Sequence, residues 1–114
     1  MKPSDFLIDI GKPVAYYPAL RKITGSTNAN IFLCQLLYWT GKQSNADGWI
    51  YKTSIEIEEE TGLSYKEQKT ARNKLIEVGV LEEDYKRLQH VIYYRVVLSK
   101  IDDMWELMQQ PYDQ

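Results

Sequence analysis

A catalytic or metal-binding site in this chain would have to be assembled from one histidine (His90), one cysteine (Cys34) and a run of glutamates at positions 56, 58, 59 and 60. No G-x-S-x-G elbow or glycine-rich phosphate loop accompanies them, so a nucleophile, its base and a nucleotide cradle all lack their residues. Successive carboxylates on a helix point in different directions and do not converge on a cation, whereas the positive end of a helix dipole accounts for them well. The expectation is no enzyme, no cofactor and no metal. Cys34 cannot form an internal disulfide and lies in the apolar run 31–39, which predicts a buried thiol. The run SYKEQKTARNKLIEV, residues 64–78, offers different chemistry: amines, an amide, a guanidinium and hydroxyls, which contact phosphates and base edges.

Those groups need a helix to align them. Ser64 can cap one, with Glu67 three residues on, and Gly79 can end it. On that helix Gln68, Ala71, Leu75 and Val78 share one face. Lys66, Lys69, Thr70, Asn73 and Glu77 share the other, flanked by Tyr65 and Arg72. A preceding helix is capped by Thr53 or Ser54, carries its glutamates toward solvent and stops at Gly62, giving two helices joined by a short turn. Leu63 in that turn plugs the gap between them.

Upstream, Ser26 caps a helix reaching about Lys42 whose apolar residues point all round. It is either the central core helix or a core helix with one side in a dimer interface. Residues 6–10 suggest a short strand and Pro18 opens a short helix ending near Gly25. Residues 45–48 form a turn and residues 49–52 a short strand. Downstream, period-two alternation makes residues 90–98 a strand with residues 80–85 as antiparallel partner. Ser99 then caps a last helix with Ile101, Met104, Trp105 and Met108 in one apolar stripe. The fold class is therefore mainly α with a small β-hairpin (α+β), a winged helix-turn-helix. The chain reads as one domain: an arm and short helix (1–25), the core (26–98), and a C-terminal helix and tail (99–114).

The formal charge of −2 argues against indiscriminate nucleic-acid binding. Its distribution is uneven: residues 64–100 hold eight basic and five acidic side chains, and residues 101–114 hold four acidic and none basic. No signal peptide and no apolar stretch near the twenty or so residues of a membrane span is present, so a cytoplasmic protein without membrane attachment is expected.

The run TGLSYKEQKTARNKLIEVGVLEE, with DGWIYKT and STNANIFLCQLLYWTGK before it, resembles the winged-helix domain of replication proteins of bacteriophages and other mobile elements, including replisome organisers. The spacing is similar to that of many winged-helix transcription regulators too. Gln68 departs from the family, which places an aliphatic residue there, and the wing lacks the usual Gly or Pro. The resemblance implies a duplex-DNA partner, read in the major groove by Ser64, Tyr65, Lys66, Lys69, Thr70, Arg72 and Asn73. Lys86, Arg87 and His90 at the wing tip would meet phosphates. It also implies a replicative helicase or helicase loader as a further partner. The chain is then either a stand-alone protein or one domain of a longer one. A homodimer through Ile101, Met104, Trp105 and Met108 is expected. Two other roles stay open: a transcriptional regulator, and an interaction adaptor that binds no DNA and uses exposed tyrosines such as Tyr65, Tyr85 and Tyr93.

Overall fold

A computed structural model describes residues 13–42, 44–86, 88 and 91–109. A 3-10 turn (Pro18–Leu20) leads into α1 (Arg21–Thr24) and the long α2 (Thr27–Trp39). Then come β1 (Ile50–Tyr51), α3 (Ser54–Thr61), α4 (Tyr65–Val78), β2 (Leu81–Lys86), β3 (Val91–Val96) and α5 (Leu98–Gln109). The fold is mixed α and β, with the strands in one antiparallel sheet of order β1-β3-β2. The expected strand at residues 6–10 and the tail beyond residue 109 lie outside the described residues.

Side-chain caps set the helix starts. Ser26 accepts the Ala29 N–H, and Thr53 and Ser64 each complete a capping box, with Glu56 and Glu67 respectively. At the other end of α4, Gly79 takes φ 96° and donates its N–H to the last carbonyls of the helix, a conformation that a β-branched residue resists.

The short strand expected at residues 49–52 joins the hairpin, because Ile50 pairs with Tyr94 and Tyr51 with Tyr93. Two expectations need correction. The helix α2 ends at Trp39, since Thr40 is already extended at ψ 123°. Ser99 does not cap α5: the helix starts at Leu98, and the carbonyl of Val97 accepts the N–H groups of Lys100 and Ile101. Strand β3 ends at Val96, so the capping position falls to Val97, whose side chain has no hydrogen-bond acceptor.

The core gathers around α2. Phe32, Leu33 and Leu36 meet Ile57, Leu63, Ala71 and Leu75 on one side and Leu81, Tyr94 and Val96 on the other, with Phe32 and Tyr94 edge to face at 5.5 Å. Cys34 is a buried thiol, and burial pushes its pKa up. The inner face of the sheet is therefore anchored to α2, and through it to α3 and α4. Among the described residues no helix is long and apolar enough to cross a membrane.

Candidate nucleic-acid interface

Helices α3 and α4 are joined by Gly62, Leu63 and Ser64. Leu63 is buried in the gap, as its apolar side chain requires. Gln68 is wholly buried and donates from its amide to the carbonyls of Ser54 and Leu63, each at 2.9 Å. An amide at this position ties α4 both to the start of α3 and to the turn. Ala71, small enough for close approach, and Leu75 complete the buried face.

The opposite face is open. Lys66, Lys69, Thr70, Asn73 and Glu77 are all exposed, with Tyr65 beside them at the helix start. Ser64 is engaged as the cap: its hydroxyl accepts the Glu67 N–H, and its own N–H donates to the Glu67 carboxylate. Those bonds hold the Glu67 carboxyl below its ordinary pKa, so an anion persists at the edge of the basic face.

Arg72 does not flank that face. Its guanidinium is buried against the sheet, with Nε 3.3 Å from a carboxylate oxygen of Glu83. The physical reason lies in the helix period, because Arg72 is one turn after Gln68 and three residues before Leu75, inside the buried arc. Burial pushes the Tyr94 phenol up, partly offset by Arg72 beside it.

The other described cations of the hairpin, Lys86 and Arg95, are each in an ion pair. Lys86 contacts Asp84 at 2.8 Å and Arg95 contacts Glu82 at 2.8 Å, so the acidic strand β2 neutralises the basic residues counted in its favour. Arg87 and His90 lie outside the described residues. The stem of Lys74 packs over Gly25 and that of Lys100 beside Gly79. Lys66 and Lys69 remain the lysines on the open face.

The outer face of the sheet bears aromatic side chains. Tyr51 and Tyr93 stand 5.6 Å apart, and Arg95 lies over Trp49 at 4.6 Å. The expected apolar stripe of α5 is divided. Ile101 and Met104 pack on the core, while Trp105 and Met108 are each 37% exposed, with Leu98 and Leu107 more so.

The glutamates of α3 do not all face solvent as expected. Glu60 turns inward and accepts hydrogen bonds from Gln35, Trp39 and Lys52, all at 2.8 Å, while the Lys52 ammonium sits 3.8 Å from the centre of the Trp39 ring. Two signals pointed to the residues missed here. Glu60 follows the core residue Ile57 by three, and Glu83 alternates with Leu81 on the inner face of β2.

Comparison of the chain with protein-family models, with curated proteins and with solved structures finds no match. What the surface can do follows from its own chemistry: two amines, an amide, a hydroxyl and the Glu77 carboxylate on one exposed helix face, held by a helix, a turn and a sheet.

Proposed function

We propose that this chain is a winged-helix DNA-binding protein in which α4 enters the major groove and the β2–β3 hairpin is the wing. The single observation that carries the reading is the exposed row Lys66, Lys69, Thr70 and Asn73 on a helix whose opposite face is locked to α3 by Gln68, Ala71 and Leu75. A lysine can donate to guanine O6 and N7, and an asparagine can pair with adenine. The resemblance to phage and mobile-element replication proteins makes assembly of a replication complex, with a helicase or its loader as partner, the proposed setting. Regulation of transcription would use the same contacts.

A second reading has its own support. The partly exposed aromatic face of Trp49, Tyr51 and Tyr93, together with an acidic β2, suits a protein partner better than a polyanion. A salt titration on duplex DNA separates the two. Lys66 and Lys69 alone correspond to a log–log slope of about −2 per subunit, less steep than the −3 or so that three or four free cations would give. An adaptor shows no binding even at low salt. On a specific site, Lys69→Ala or Asn73→Ala should weaken binding by about 1–3 kcal/mol. Unchanged affinity in both variants would remove α4 as the reader.

A further inference from the structure

The least satisfied charge in the described structure is Arg72. Its relative exposure is 6%, and among the described residues Nε and Nη1 have no hydrogen-bond acceptor. The Glu83 oxygen at 3.3 Å is close enough for an ion pair but too poorly aligned for a hydrogen bond. Holding a guanidinium out of water with the donors of two of its three nitrogens unfilled is costly even with the Tyr94 phenol beside it, so Glu83 is a poor resting partner for the cation.

Glu83 is the outer member of the pair: its side chain is 31% exposed against 7% for Arg72. It stands on β2, which is an edge strand of the sheet among the described residues. Its carboxylate already reaches water and can turn further into solvent by side-chain rotation alone. The guanidinium would then be uncovered at the seam between α4 and β2, one helical turn from Lys69.

Resting on the DNA-binding reading above, we infer that Arg72 is a phosphate site held closed by Glu83, which a phosphodiester of the duplex backbone displaces when α4 enters the groove. A phosphodiester presents several charged oxygens to a planar guanidinium, a better match to its donors than one misaligned carboxylate oxygen. The displaced Glu83 regains full hydration. The exchange replaces one negative partner by another, so Arg72 is never left without a counter-charge.

Glu83→Gln removes the competing charge and keeps the side-chain shape. It should tighten duplex binding about three- to tenfold and steepen the log–log salt slope by about 0.9, the value for one added phosphate contact. Glu82→Gln, which frees Arg95 on the outer face, controls for the general loss of a carboxylate. In an Arg72→Met background Glu83→Gln should have no effect, and both substitutions together leave no buried charge at the seam. Equal gains from Glu82→Gln and Glu83→Gln, or a Glu83→Gln gain that survives Arg72→Met, would overturn the phosphate site while leaving DNA binding intact. Absence of duplex binding by both the wild type and Glu83→Gln at low salt would overturn the DNA reading and this inference with it.

Discussion

A buried amide at position 68 does what a leucine there could not. Its two donor bonds reach the carbonyls of Ser54 and Leu63, one at the start of α3 and one in the turn, and so fix the angle at which α4 leaves. Gln68→Leu would leave both carbonyls without that donor and should cost about 1–3 kcal/mol in urea denaturation. A neutral or stabilising result would mean that the two carbonyls find water and that packing alone sets the angle. The sequence marked Gln68 as an oddity without saying what it bonds, because a donor's partner depends on tertiary approach. Helix caps were legible at Ser26, Thr53 and Ser64, since a cap acts on backbone three residues away. Arg72 reads as solvent-facing from its type alone, but its wheel position and a carboxylate on a distant strand turn it inward.

At the scale of elements, α3 is held at its far end by the Glu60 cluster. Lys52, nearly fully buried just after β1, has Glu60 as its ion-pair partner, and Trp39 at the end of α2 both donates to Glu60 and receives the ammonium on its ring. Three elements are thereby joined at one carboxylate. Burial acts to raise the Glu60 pKa, but the bonds from Lys52, Gln35 and Trp39 outweigh it, so the carboxyl titrates below its ordinary range. A depressed folded pKa means that this contribution to stability is complete above the unfolded value of about 4.3 and fades as pH falls through the lower folded value. Glu60→Gln leaves Lys52 without its counter-charge and should cost about 3 kcal/mol at neutral pH, the low end for a broken buried pair because Glu60 keeps some exposure. The gap between wild type and variant should narrow on the acid side. A gap that stays constant down the acid limb would mean that Glu60 titrates alike in the folded and unfolded chain. Element order was readable from caps and periodicity, and the hairpin from its alternation. The attachment of β1 to β3 was not, because two residues are too few to carry a pairing pattern.

For the molecule as a whole, two lysines on the proposed reading face are a thin electrostatic basis for holding DNA, and pairing of two subunits would double it. Helix α5 supplies the surface proposed for that pairing. Its first half is already used, with Ile101 buried and Met104 against the core, so self-association falls to Trp105 and Met108 with Leu98 near the start of the helix. Asp102, Asp103 and Glu106 border the same surface. Two such helices side by side would bring six carboxylates into one region, and salt would screen their repulsion. Dimerisation should therefore strengthen as salt rises, opposite to the salt dependence of phosphate binding by each subunit. A symmetric pair would present two α4 helices to half-sites about one DNA turn apart. Sedimentation at micromolar concentration across a salt series tests the pairing directly. The expected result is a dimer that tightens with salt and is lost in Trp105→Glu, which sets a charge in the apolar contact. A monomer at every salt concentration would remove the dimer, and a dimer indifferent to Trp105→Glu would move the interface off α5.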